Sequence, residues 1–331
     1  MQSRRRQILS EIGFEDEVNA SLWFDKFMPD DEGVDKAKQK LVSEITKVKV
    51  PEIYKSKFEQ WKMMLKGVGA KTKVLRVDQR MIIGLGGESV LETSIKLHRV
   101  YGVPFIPGSA LKGLAASYAH RHLSSGWKRG EKLHNLVFGS QDFAGLVKFY
   151  DAMLIPNGDR LPLHKEIMTV HHSEYYGDSG KPPADWDDPV PILFVSASGS
   201  YLVALSCEKG LEKVLDRVFE ILALAFEEEG IGAKTSSGYG RGRFEKSEDE
   251  VNIEKENIEV EKFISRVSAL RSNEVAGQIY NFYLEWKNSP LSDESRRKMA
   301  QAIIEKIRSA GREKKSQDKQ WYMELLSYLT K

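Results

Sequence analysis

The stretch LEKVLDRVFEILALAFEEEGIGAKTSSGYGRGRF, residues 211–244, joins a strongly amphipathic segment to a glycine-rich one. Leu211, Val214, Leu215, Val218, Phe219, Leu222 and Phe226 recur at three- and four-residue spacing, with Glu212, Lys213, Asp216 and Glu220 opposite. That pattern predicts a helix with one buried stripe. Gly230 is placed to end it. Five glycines (230, 232, 238, 240 and 242) then lie among Lys234, Thr235, Ser236, Ser237, Tyr239, Arg241 and Arg243. Glycine admits positive φ and lets a backbone approach a phosphate chain, where N–H groups, hydroxyls and cations share the oxygens. A flexible hairpin with solvated charges has the same composition.

Two nucleotide-binding motifs are excluded. A P-loop requires G-x-x-x-x-G-K-[ST] ahead of a helix, but Ala233 precedes Lys234, Glu228 stands at the first glycine position, and the helix comes first. A Rossmann fingerprint fits neither the spacing Gly238, Gly240, Gly242 nor the context.

Moving toward the amino terminus, Ile192–Ala197 and Tyr201–Ser206 read as a hairpin around Ser198, Gly199 and Ser200. Leu146–Ile155 reads as a strand with Val147, Phe149, Asp151 and Met153 on one side. Pro104, Pro107 and Gly108 precede Ser109, a good N-cap, and Leu111, Leu114, Ala115, Tyr118 and His122 continue at helical spacing. Val74–Leu85 is a strand running into Gly84, Gly86 and Gly87. Strand, helix, strands, helix, strand is the order of a βαββαβ ferredoxin-like domain, the α+β scaffold also used by the RRM.

This domain spans residues 73–245. Residues 1–72, with helical spacing over Val34–Val48 and Ile53–Leu65, form an N-terminal helical extension. Residues 246–331 form a C-terminal one. There the acidic run Glu245–Glu261 serves as linker and first helical turn. Ile258–Leu270, Val275–Trp286, a segment capped by Ser292 and the tail around Trp321 and Leu325 make a small helical bundle.

The 331 residues carry 50 Lys and Arg against 48 Asp and Glu, a formal charge of +2, so any polyanion must meet basic residues concentrated on one face. The single cysteine, Cys207, excludes an internal disulfide and a thiolate metal cluster, and fits a reducing cytoplasm. The start MQSRRRQILSEIGFEDE lacks the apolar stretch of a secretory signal, and no segment is apolar enough to span a bilayer. A soluble, cytoplasmic chain with no membrane contact is expected.

GIGAKTSSGYGRG, residues 230–242, resembles the G-x-G-x-x-[ST]-x-x-G-x-G loop of the RAMP superfamily. GLGGESVLETSIKLHRVYGVPFIPGSALKG (84–113) is similar to the entry of RAMP subunits into their first helix, and GLVKFYDAML (145–154) to the strand ending in an Asp-Ala pair. EIMTVHHSEYYGD and PADWDDPVPILFVS, within 166–196, resemble the sixth-subunit family of the type III-B (Cmr) CRISPR effector complex. The resemblance implies a ferredoxin-like RAMP domain that helps hold the 3′ side of the CRISPR RNA, beside the backbone subunit and the other terminal RAMP subunit, with target RNA as a further partner. Because the family assigns target cleavage to the backbone subunit, it implies no catalysis here, and no metal or cofactor.

The candidate RNA-binding set is Lys112, Gly232, Lys234, Thr235, Ser236, Gly238, Tyr239, Gly240, Arg241 and Arg243. Lys112 enters because a helix N-terminus favours an anion. Lys71, Lys73, Arg76 and Arg80, from the basic run 62–80, and His171 and His172 form a second set for contact with RNA or a neighbouring subunit. Each basic residue has a plainer reading as a solvated face. The adjacent histidines point opposite ways on an extended segment and do not chelate together. Imidazole acid–base chemistry keeps a metal-independent endoribonuclease as the rival function. The near-zero net charge keeps a third, a purely architectural subunit. Tyr175, Tyr176 and Trp186 are stacking candidates that equally pack loops, and Asp185, Asp187 and Asp188 read as a Pro-flanked acidic turn.

Overall fold

Helical and extended segments alternate along the first three quarters of the chain, and only helices follow. The structure, a computed structural model, describes residues 11–28, 33–89, 91–157, 160–170, 190–246 and 248–330, with Arg4, Ile8 and Pro182. It divides into two compact units, Met1–Glu245 and Lys246–Lys331.

In the first unit, α1 (Ala20–Lys26), α2 (Val34–Ile45) and α3 (Glu52–Gly67) precede β1 (Lys71–Val77). Then come β2 (Phe105–Ile106), α4 (Gly108–His122), α5 (Lys132–Phe138), β3 (Lys148–Phe149), β4 (Ala152–Leu154), β5 (Leu163–Val170), β6 (Val190–Ala197), β7 (Ser200–Ser206), α6 (Glu212–Glu228) and β8 (Gly242–Phe244). The main sheet runs β2-β4-β7-β1-β8, with β3 also on β7, and every pairing is antiparallel. With α4 and α6 as the two crossovers, β1, β4, β7 and β8 reproduce the split βαββαβ arrangement, the ferredoxin-like fold expected from the sequence.

α6 buries the predicted stripe, including Leu215, Val218, Phe219, Leu222 and Phe226. It packs on α4, β7 and β8. It ends where Gly230, at φ +78°, donates its N–H to the Ala225 carbonyl at 3.0 Å, shared with the Glu229 N–H. The N-terminal helices belong to the same core: Trp23, Leu41, Ile45, Tyr54 and Leu65 cluster with Leu75, Tyr201 and Leu222. Tyr54 donates its hydroxyl to the Leu154 carbonyl at 2.5 Å, and Trp61 meets Tyr150 edge-on at 6.1 Å. Residues 201–206 of β7 are all buried. Because successive strand side chains face opposite ways, β7 is covered on both faces.

Four local expectations are corrected. β6 and β7 do not pair as a hairpin: β6 pairs β5 along eight residues in a separate sheet, while β7 joins the main one. The strand expected over 146–155 is two short ones, broken at Tyr150–Asp151, with Val147 buried before the break and Ala152 and Leu154 after it. Ser109 makes no cap; Pro107 holds that position, and Asp151 Oδ1 accepts the Gly108 N–H at 2.7 Å. A carboxylate from a neighbouring strand thus supplies what a local hydroxyl would. The acidic run is not a linker, since α7 starts at Glu248.

The second unit comprises α7 (Glu248–Ala269), α8 (Val275–Lys287), α9 (Asp293–Ser309), α10 (Glu313–Ser316) and α11 (Gln320–Thr330). α9 contacts α7, α8 and α11 and is the central helix. Phe263, Val267, Trp286, Ile303, Ile307 and Leu325 fill its core, and the Trp286 indole N–H donates to the Arg296 carbonyl at 2.8 Å. No helix among the described residues is long and apolar enough to cross a membrane.

Substituting Tyr54→Phe leaves the Leu154 carbonyl without its buried donor. The expected cost is about 1–2 kcal/mol, read as a lower urea midpoint at unchanged slope. An unmoved midpoint would show that this bond does not hold α3 to the sheet.

Candidate nucleic-acid interface

The glycine-rich segment leaves α6 and runs back along residues 78–83. The Ile231 N–H donates to Gly240 at 2.9 Å, the Gly240 N–H to Arg80 at 2.7 Å, the Ala233 N–H to Ile82 at 2.8 Å, and the Asp78 N–H to Arg241 at 3.0 Å, all onto carbonyls. Both ends of the loop are thereby tied to each other and to the one segment that follows β1. Gly240 and Gly232 permit this approach. A Cβ at Gly240 would lie 1.9 Å from the Ile231 carbonyl oxygen, and one at Gly232 would lie 2.1 Å from that of Ile82. Between the tied ends, Thr235–Ser237 forms a single 3₁₀ turn, closed by the Ser237 and Gly238 N–H groups on the Lys234 and Thr235 carbonyls at 3.0 Å. Ser236, Ser237 and Gly238 are exposed at its tip.

Lys234 and Tyr239 turn toward β6 instead of outward. Lys234 sits in the left-handed region at φ +57°, with Nζ 6.0 Å from the Phe194 ring centroid. Tyr239 meets the same ring edge-on at 6.0 Å. Burial, and then the charge of Glu166, push its phenol above the ordinary value. Glu166 also accepts from Ser196 Oγ at 2.9 Å and lies 3.5 Å from Arg80 Nε, so Arg80 serves this internal cluster. Beside it, burial and then the Arg80 charge hold the His164 imidazole below its usual range.

A groove of about 500 Å³ separates the loop from α4. Ser117 and Arg121 line one wall, Thr235, Ser236 and Arg241 the other, with Glu228 and Glu229 from the end of α6. Both acids are engaged. Glu229 pairs with Arg121 and, at 2.9 Å, with His122 Nε2, while Tyr118 donates its hydroxyl to Glu228 at 2.8 Å. Burial, followed by that bond, pushes the Tyr118 phenol up to about 12. Arg241 remains exposed, without a carboxylate partner among the described residues.

Next to the groove, Arg243 of β8 stands directly opposite Arg76 of β1. Arg243 is 69% exposed and only loosely placed between Asp78 and Glu227, at 3.9 and 3.8 Å. Arg76 has no ion pair among the described residues. With Gln79, Asn157 and Arg160 it lines a smaller cleft of about 220 Å³.

The structure therefore gathers Gly232, Thr235, Ser236, Gly238, Gly240 and Arg241 at one loop, with Arg76 and Arg243 on the adjoining strand pair. Other members of the candidate set lie elsewhere. Lys71 is ion-paired with Asp216, and Lys73 lies 6.0 Å from the Phe219 ring. Lys112 is exposed one turn into α4, about half a turn around from the groove-lining Ala110 and Leu114. His171 and His172, like Tyr175, Tyr176 and the 185–188 acidic turn, fall outside the described residues. Sequence reasoning missed Ser117, Arg121 and Arg160. Ala110, Leu114, Ser117 and Arg121 share one helical stripe, the one available signal for the first two.

Residues 74–245 match the family model of the RAMP superfamily, and the chain belongs to that superfamily. Within it, the chain is homologous to Cmr6, a subunit of the type III-B Cmr CRISPR effector complex. It is 32% identical to the CRISPR system Cmr subunit Cmr6 of Pyrococcus furiosus over 259 residues, 59% of this chain and 75% of that protein. It is 25% identical to the Cmr6 of Saccharolobus solfataricus over 52% of this chain and 56% of that one. A cryo-EM structure of the type III-B Cmr-beta bound to cognate target RNA contains a chain of the same fold, with TM-score 0.52 and 20% identity over 66% of this chain and 78% of that one.

Substituting Gly240→Ala forces a backbone collision, whereas Gly238→Ala, at φ +89° with open space around its Cβ, adds only conformational strain. Gly238→Ala is expected to cost about 1–2 kcal/mol and Gly240→Ala about 1–3 kcal/mol more, measured by chemical unfolding. Equal losses would show that the loop is not clamped at Gly240.

Proposed function

We propose that this chain is a non-catalytic, CRISPR RNA-binding subunit of a type III-B effector complex, holding the guide RNA near its 3′ side beside other RAMP subunits. The observation that carries this is the clamped loop, whose exposed hydroxyls and backbone stand beside Arg241, which has no carboxylate partner among the described residues. Phosphate oxygens accept from such groups without regard to sequence, which suits a guide of variable sequence. With a net charge of only +2, binding has to be local, and Arg76, Arg241 and Arg243 supply a short cationic track along one edge. Homology to Cmr6 supports the same reading. RNA lies along the loop and the β8 edge, because β7 is covered on both faces. Target RNA reaches this subunit only through its pairing with the guide, and the chain cleaves neither strand.

The test is the triple substitution Arg76→Ala, Arg241→Ala, Arg243→Ala along that track. It is expected to weaken single-stranded RNA binding and to flatten the log–log salt slope by about 2, the value for three lost phosphate contacts. An unchanged slope would remove the loop from the RNA site. Incubation with repeat RNA in EDTA decides the chemistry. Specific cleavage, lost on His171→Ala or His172→Ala, would replace this reading with that of a metal-independent endoribonuclease.

A further inference from the structure

The C-terminal helical unit has a cleft that the RAMP domain does not account for. Its volume is about 290 Å³, small for a ligand site and suited to one nucleotide unit or less. α8 contributes Tyr280 above the buried Ile279, and the end of α9 contributes the buried Ile307. The chain turns at Gly311, φ +66°, so that Arg312, Lys315 and Lys319 follow one another around the rim before Trp321 opens α11. Tyr280, 47% exposed, meets Trp321 edge-on at 6.2 Å, and Lys319 Nζ lies 5.9 Å from the Trp321 ring.

The rim's charge balance is one-sided. None of Arg312, Lys315 and Lys319 has a carboxylate partner among the described residues. The neighbouring Glu313 is taken by Arg308 Nε at 3.0 Å and the Tyr322 hydroxyl at 3.1 Å, which hold its carboxyl below the ordinary range. Glu274 accepts the Arg271 backbone N–H at 2.9 Å. Asp318 is exposed beside Lys319 but does not line the cleft. The segment 296–319 carries nine Lys and Arg against three Asp and Glu, while seven acids crowd residues 248–261 of α7. Charge is thus segregated within a unit whose total is nearly balanced.

Unpaired cations around an accessible pair of aromatic rings, over an apolar floor, have the two parts that single-strand recognition needs: phosphate neutralisation and a face for a base. We infer that this cleft is a second single-stranded RNA contact, with Arg312, Lys315 and Lys319 on successive phosphates and Tyr280 with Trp321 against a base. An acidic peptide would satisfy the cations but leave the rings unused, and for that reason RNA is the better fit. The inference does not depend on the loop 230–243 as an RNA site, so the two fail separately.

The experiment uses the full chain and a 4-thiouridine-substituted single-stranded RNA. Photocrosslinking followed by peptide mapping is expected to mark Tyr280 or Trp321. Lys315→Glu with Lys319→Glu, both exposed and therefore compatible with folding, is expected to weaken binding roughly tenfold and abolish those crosslinks. The same pair added to the loop triple variant should lower the residual affinity further. Crosslinks confined to the first unit, affinity unchanged by Lys315→Glu and Lys319→Glu, or retention of a poly-glutamate peptide in preference to RNA would each overturn the assignment.

Discussion

The glycine-rich loop is held at both ends by backbone hydrogen bonds, and its proposed role as a phosphate surface depends on them. Its hydrogen bonds to Arg80 and Ile82 use N–H groups of Gly240 and Ala233, and the Asp78 N–H returns one to Arg241. A polyanion meeting such a loop does not have to order it first, so less of the interaction is lost to conformational entropy. The same ties hold Arg80 beside Glu166, which links the loop to β5 and β6 through Tyr239 and Phe194. Rigidity here comes from close backbone contact, and close backbone contact comes from residues with no side chain.

That mechanism explains what the sequence disclosed. The stripe on α6 and the glycine at its end were legible because both are local: helical periodicity and positive φ are properties of a few consecutive residues. The glycines of the loop signalled a special backbone, although not what it would press against. Partnership was illegible. Nothing local to Ile192–Ser206 shows that its two apolar runs enter different sheets, since register is set by strands distant in the chain. Asp151 reads as one more strand residue until it is seen receiving the Gly108 N–H. Lys71 and Arg80 resemble Arg76 and Arg241 in composition, and only the placement of Asp216 and Glu166 separates these engaged cations from two that have no carboxylate partner among the described residues. Arg121 was missed for the same reason, since its groove depends on how α4 packs against α6.

The covering of β7 has a related effect. An RRM presents an open sheet to RNA, yet here α3, the other helices and the loops cover the central strand. The reading proposed above therefore puts recognition at one edge of the sheet, formed by β8 and the loop before it. On the proposed reading, that edge meets phosphates and not bases, which suits a subunit that leaves base reading to a guide. In the C-terminal unit, too, a positive-φ glycine turns the chain, and cations without a carboxylate partner among the described residues follow it.

Arg76 and Arg243 face each other across one rung of the ladder. Like charges so placed raise the free energy of the unliganded fold, and only Arg243 has acids near it, Asp78 and Glu227 at 3.9 and 3.8 Å among the described residues. The molecule therefore carries a standing electrostatic debt at its outer strand. On the proposed reading, a chain of phosphates lying there relieves that repulsion, and the relief adds to the affinity.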